Sequence, residues 1–256
     1  MEKEICWNIT ARCNQSCKYC HRFLNIKDLT FEENYSILNN LVESGVNSIT
    51  WTGGEALLLK EIDKLIKFSH EYGIKNKIIT NGKLLNKERI DKIYRYLDSI
   101  TLSIDSVDDN TNEELGRGRN HYQEIKDILD YIKTKNYDIK IRINSVVCKN
   151  NLNKFNGLID FLENYNIYSW RIFKFMPLRE TAVKNKDEFN VSMKDYNNVI
   201  KLIKERSSIK KIDTRIETDM EKKYVLILAN GDIVVTENGI DKKLGNALND
   251  SLKKYI

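Results

Sequence analysis

Cys13, Cys17 and Cys20 fall within eight residues, in the stretch ITARCNQSCKYCHRF. Thiols at that density serve metal binding or redox chemistry in a chain without a secretory leader. A structural zinc site takes four ligands, usually in separated pairs, and this run offers three. His21 adjoins Cys20, an awkward place for a fourth. Thiolates also hold iron–sulfur clusters. A cubane held by three protein thiolates keeps one iron for a ligand from outside the protein. By spacing alone, a cluster, zinc and unliganded thiols all stay open. Cys6 and Cys148 stand apart and read as ordinary buried thiols.

The elements that must position the triplet alternate. Strands are expected at 5–10, 48–53, 77–81, 100–105, 139–147 and 169–176. Helices are expected at 31–44, 60–72, 86–97, 121–135, 151–165 and 192–206. Thr30 with Glu33 reads as a capping box, and Gly45 and Gly73 sit where helices end in a left-handed residue. Six strand–helix units in series argue for a right-handed parallel sheet, fewer than the eight of a closed barrel. The triplet follows the first strand, at the end where parallel α/β folds place their sites. Several strands are apolar on one face only. Asn8 and Thr10, Ser48, Thr50 and Thr52, Thr101, Ser103 and Asp105, and Lys140, Arg142 and Asn144 share the other. The fold expected is α/β, a partial (β/α)6 TIM-like barrel with a polar lumen. Residues 1–207 would form its core. Residues 208–256 read as a small C-terminal β extension, a hairpin turning at Asn230-Gly231 and then a short helix, closing the barrel.

The 256 residues suffice for this architecture and are too many to need staples. The net charge of +5 (42 basic, 37 acidic) is mild and leaves no nucleic-acid footprint. The opening MEKEICWNIT has no apolar leader core, and no run is long enough to span a membrane, so the expectation is a cytoplasmic protein with no membrane partner.

With these motifs in register, the sequence resembles the radical S-adenosylmethionine (SAM) enzymes. The resemblance rests on CNQSCKYC with Tyr19 in the aromatic slot, TGGE at 52–55, TNG at 80–82, LSID at 102–105, LGRGR at 115–119 and INSVV at 143–147. It covers about residues 5–180. It implies that Cys13, Cys17 and Cys20 hold a [4Fe–4S] cluster whose free iron chelates SAM. It implies SAM contacts from Tyr19, Gly53, Gly54, Glu55, Asn81, Ser103, Asp105, Arg117, Asn144 and Val146. Reductive cleavage would yield a 5′-deoxyadenosyl radical, with an electron donor such as flavodoxin or ferredoxin as partner. The viperin-like and molybdenum-cofactor cyclase-like branches look closest. The second carries a C-terminal cluster, whereas the last cysteine here is Cys148.

The substrate is expected to be a small anion, in the viperin-like reading a nucleoside triphosphate that is dehydrated. Lys140, Arg142, Lys174, Arg179, Thr52 and His21 are the candidate contacts. Peptide or protein modification, and a non-catalytic metal-binding module, are the other readings.

Overall fold

The computed structural model describes residues 3–220, 225–237 and 239–255. The chain runs β1 (Glu4–Thr10), α1 (Phe31–Glu43), β2 (Ser48–Gly53), α2 (Ile62–Glu71), β3 (Lys75–Thr80), α3 (Lys87–Ile93), β4 (Ser99–Ser103), α4 (Asp109–Glu114), α5 (His121–Lys135), β5 (Lys140–Val147), α6 (Phe155–Leu162) and β6 (Ile167–Lys174). It continues through α7 (Arg179–Lys184), α8 (Lys186–Phe189), α9 (Met193–Arg206), β7 (Ile212–Arg215), β8 (Leu226–Ile227), β9 (Asp232–Glu237) and β10 (Ile240–Asn246). A 3-10 turn at Leu252–Lys254 follows. The expected strands and helices are present, with ends displaced by a few residues. The short helices α4, α7 and α8 carry too little apolar periodicity to be read in advance.

Local chemistry sets the boundaries. Thr30 caps α1 through the Glu33 amide (3.2 Å), and the Glu33 carboxylate accepts the Thr30 amide (2.8 Å), completing the box. Gly45 and Gly73 have φ of 76° and 75°, the left-handed geometry expected of them.

The strands form one sheet in the order β10-β9-β8-β1-β2-β3-β4-β5-β6-β7. All pairings from β8 through β1 to β7 are parallel, while β8–β9 and β9–β10 are antiparallel. Residues after 207 therefore supply both edges of the sheet: β7 beside β6, and the β8–β10 meander beside β1. The turn between β8 and β9 lies at Asn230-Gly231, with Gly231 at φ 83°, as the sequence indicated.

The sheet is curled. β6 and β10 are eight strand steps apart, about 38 Å on a flat sheet. Yet Arg179, just past β6, pairs bidentately with Asp241 of β10 at 2.8 and 2.9 Å. Helices cover the outer face. There Ile5, Trp7, Ile9, Ile49, Trp51, Ile78, Ile100, Ile143, Trp170 and Ile172 are fully buried, with Trp7 and Trp51 stacked at 5.2 Å between centroids. The inner face keeps half-buried polar residues: Asn8, Thr52, Arg142, Asn144, Arg171 and Asp213. Among the described residues no helix is long and apolar enough to cross a membrane.

One buried amide pins this core. The Asn76 Oδ1 accepts from Trp51 Nε1 (2.7 Å) and Ser69 Oγ (2.6 Å), and its Nδ2 donates to the carbonyls of Ile66 and Tyr96 (both 3.1 Å). Asn76→Leu strands the Trp51 donor and two carbonyls. It is expected to cost about 3 kcal/mol in urea denaturation, against less than about 1 kcal/mol for a surface Asn→Leu control.

Candidate active site

The cysteine loop leaves β1 at Thr10, where Asp28 anchors it. That carboxylate accepts from Thr10 Oγ1 (2.5 Å), the Ala11 amide (2.8 Å) and Arg12 Nε (2.7 Å). Partial burial opposes its charge, but these donors, Thr10 foremost, hold its pKa below the usual carboxylate range. The end of β2 lies against the same turn. The Gly54 amide donates to Thr10 O (2.7 Å) and the Glu55 amide to Arg12 O (2.8 Å). A Cβ on Gly54 would stand 2.0 Å from Arg12 O, so TGGE needs glycine here for close backbone packing.

Glu55 is almost fully buried. Its carboxylate accepts from Thr80 Oγ1 (2.7 Å), the Asn81 amide (2.8 Å) and the Leu57 amide (3.2 Å). Burial raises its pKa, and the bonds from Asn81 and Thr80 oppose the rise. Expected to meet the SAM ammonium, this side chain binds the ends of β2 and β3 together.

The far side of the loop is braced by LGRGR. The Ser16 amide donates to Gly116 O (3.3 Å) and the Lys18 amide to Leu115 O (3.1 Å). Gly116 has φ 80°, and a Cβ there would sit 2.3 Å from Ser16 O. Beneath lies a buried polar network. Asp105, fully buried, accepts from Arg117 Nε (2.7 Å), the Val146 amide (2.7 Å) and the Tyr19 hydroxyl. Burial disfavours the Arg117 charge, but Asp105 foremost, then Tyr19 and Cys17, hold its pKa well above the ordinary value. Burial pushes the Tyr19 phenol well up, with Arg117 opposing. The network continues through Gln15. Its Nε2 donates to Arg117 O (3.0 Å) and lies 3.3 Å from His121 Nδ1. His121 Nε2 is 2.8 Å from Ser103 O, and a carbonyl only accepts, so the proton sits on Nε2 and Nδ1 accepts from Gln15.

The three sulfurs lie inside this frame. The Gln15 amide donates to Cys13 Sγ (3.4 Å), the Arg22 amide to Cys20 Sγ (3.4 Å), and Asn81 Nδ2 to Cys13 Sγ (3.8 Å). Burial raises the Cys13 thiol and pushes Cys17 to about 11, Arg117 opposing the latter. Three sulfurs with amide donors aimed at two of them suit thiolates that ligate a cluster.

Other expected residues divide. Gly53, Asn144 and Val146 lie at the same end of the barrel, and Thr52 pairs in register with Asn8. Arg142 shares the polar face of β5, with its guanidinium over the Tyr168 ring (4.9 Å), Arg171 pairs with Asp213, and Lys174 donates to Phe175 O (3.4 Å). Lys140 opens β5 at the opposite end, exposed beside Tyr168, so the structure does not bring it to the cysteines. Arg179 is committed to Asp241 and, through Nη1, to His21 O (2.9 Å). His21 Nε2 donates to Met176 O (2.8 Å), and burial drives its pKa down to about 4. Both therefore join the cysteine loop to β6 and β10. Cys6 lies on the lumen face with its thiol pushed up to about 12, first by burial and then by Glu4. Asp28, Gln15, His121, Asp213 and Arg215 are site residues that sequence reading missed, for no short motif marks them.

Two predictions follow from the packing. Cys13→Ala, Cys17→Ala and Cys20→Ala should each abolish iron loading after anaerobic reconstitution, by iron and sulfide assay. Gly54→Ala should keep its far-UV circular dichroism yet lose most iron, because its Cβ displaces the Arg12 carbonyl.

Known proteins resemble this chain in sequence and in fold. Residues 7–162 match the family described as the Radical SAM superfamily. An S-adenosylmethionine-dependent nucleotide dehydratase of Flammeovirga pacifica is 33% identical over 243 residues, 89% of this chain and 80% of the relative. One of Selenomonas ruminantium is 27% identical over 257 residues, 97% and 91% of the two chains. Among solved structures, Streptococcus suis SuiB bound to S-adenosylmethionine superposes with a TM-score of 0.73 at 21% identity. It covers 98% of this chain and 64% of SuiB, a likeness of fold.

Proposed function

The chain belongs to the radical SAM superfamily, and from that premise we propose that it dehydrates a nucleotide, with a nucleoside triphosphate as substrate. Its cofactors are the family's [4Fe–4S] cluster and SAM. With the cluster held by Cys13, Cys17 and Cys20 and reduced, they would supply a 5′-deoxyadenosyl radical able to take a hydrogen atom from the nucleotide's sugar. The neighbouring sugar carbon then loses its hydroxyl as hydroxide, which takes up a proton to leave as water. One further electron, from a reductant protein of the flavodoxin or ferredoxin class, completes the alkene. The net change in the nucleotide is the loss of water.

The observation that carries the reading is in the lumen. Among the described residues, the Nε of Arg142 and the Nε of Arg215 are buried donors without a hydrogen-bond partner. Leaving such a group unpaired costs roughly 1–3 kcal/mol, and more when it is charged, so a missing acceptor is expected beside it. Arg171 lies between them in strand order, and Asp213 holds it through Nε (2.8 Å) while also pairing with Arg215. Among the described residues Asp213 is the carboxylate bonded to this set, holding Arg171 and Arg215 while Arg142 has no acid. Forked guanidiniums suit phosphate oxygens. The names of the relatives point the same way.

The test is anaerobic. The reconstituted, reduced protein is given SAM and each nucleoside triphosphate in turn, and 5′-deoxyadenosine and nucleotide masses are followed. One nucleotide should stimulate SAM cleavage and lose the mass of water; no stimulation by any of them sinks the reading. Arg142→Ala should weaken nucleotide binding about tenfold or more, roughly 1.4 kcal/mol, while SAM affinity holds. Weaker SAM binding instead would place Arg142 at the wrong ligand.

A further inference from the structure

Asn81 directly follows β3 and is buried. Its backbone amide is fixed by Glu55 (2.8 Å). Its side-chain oxygen accepts the Lys83 amide (3.0 Å). A backbone N–H can only donate, so that end of the carboxamide must be Oδ1, and the amide orientation is determined. The NH2 end therefore faces the cysteine loop, where it reaches Asn14 Oδ1 (2.7 Å) and Cys13 Sγ (3.8 Å). Two N–H groups serve one amide nitrogen, so both contacts can be made at once. Cys13 thus receives two donors, the Gln15 amide and Asn81, while Cys20 receives the Arg22 amide. Among the described residues Asn81 is the side-chain donor on this sulfur set.

We propose that Asn81 is a positioning residue for the cluster's electronics: it donates to the Cys13 sulfur and holds the cluster's reduction potential up. The inference rests on the cluster assignment. A hydrogen bond to a ligating sulfur stabilises the more negative, reduced cluster over the oxidised one, so it shifts the potential upward. Glu55 serves this end indirectly, since it fixes the Thr80 hydroxyl and the Asn81 backbone that aims the amide. The functional consequence is a balance. A higher potential lets a protein donor charge the cluster more readily, and a lower one makes the charged cluster a stronger reductant.

The experiment uses the full-length protein, reconstituted anaerobically and without SAM, so that SAM contacts play no part. Asn81→Leu removes the donor at similar volume. Asn81→Asp removes it and sets a carboxylate against the sulfur. Iron and sulfide content establish loading, and a potentiometric titration followed by electron paramagnetic resonance gives the midpoint. Both variants should load fully and shift to more negative potential, Asp further than Leu because repulsion adds to the lost donor. An unmoved or raised midpoint in loaded Asn81→Leu overturns the proposal. So does loss of the cluster in both variants, which would assign Asn81 to holding the loop. Failure of the parent protein to take up iron also overturns it, and is told apart because it appears in the parent alone.

Discussion

The ion pair between Asp105 and Arg117 is the constraint on which the site depends. Neither charge would survive burial alone. Together, with Tyr19 and the Val146 amide, they saturate one carboxylate and tie four segments to one point: the cysteine loop, the end of β4, the LGRGR segment and the end of β5. Such a pair adds little net stability, because desolvation offsets much of its attraction. Its contribution is geometric. Arg117 continues into Gln15 and His121, so the loop carrying Cys13, Cys17 and Cys20 is held from below as well as from its ends.

A second consequence concerns the family motifs. Glu55, Asp105, Arg117 and Tyr19 are four of the polar side chains that the resemblance assigns to SAM, beside Asn81, Ser103 and Asn144. In this structure each of the four is engaged with another part of the frame: Glu55 with the end of β3, and the other three with one another. The backbone around Gly53 and Gly54, the ends of β4 and β5, and the cysteine loop itself meet at this frame. The motif residues hold those segments in place. A frame built from buried, saturated polar groups is rigid, and it fixes the cysteine loop in one geometry.

The lumen has its own division of labour. Asp213 orients Arg171 and Arg215 without neutralising the set, and Arg142 stands on the neighbouring strand. The clamp of Arg179 with Asp241, backed by the Thr236 hydroxyl on the same carboxylate (2.8 Å), draws the C-terminal meander toward the other side of the barrel. Cations that look alike in sequence thus serve different ends. Arg171 and Arg215 share Asp213 on the inner face, and Arg179 ties β10 to the segment after β6.

The sequence by itself determined the strand–helix alternation, the cysteine triplet and its place after the first strand, the glycines at the end of β2, and the family. Each is encoded locally: in hydrophobic period, in thiol spacing, or in a turn that only glycine permits. The polar inner face was legible too, because alternation along a strand needs no knowledge of its partners. Only the tertiary structure decided the rest. Nothing near residues 212–215 says that β7 adds to β6 while β8 adds to β1, since an edge is chosen by which sheet margin remains open. Nothing near Arg179 says that Asp241 takes it, nor near Arg171 that Asp213 holds it. A charge is read from sequence as a type; its partner is a matter of distance, and distances across a curled sheet join residues far apart in the chain.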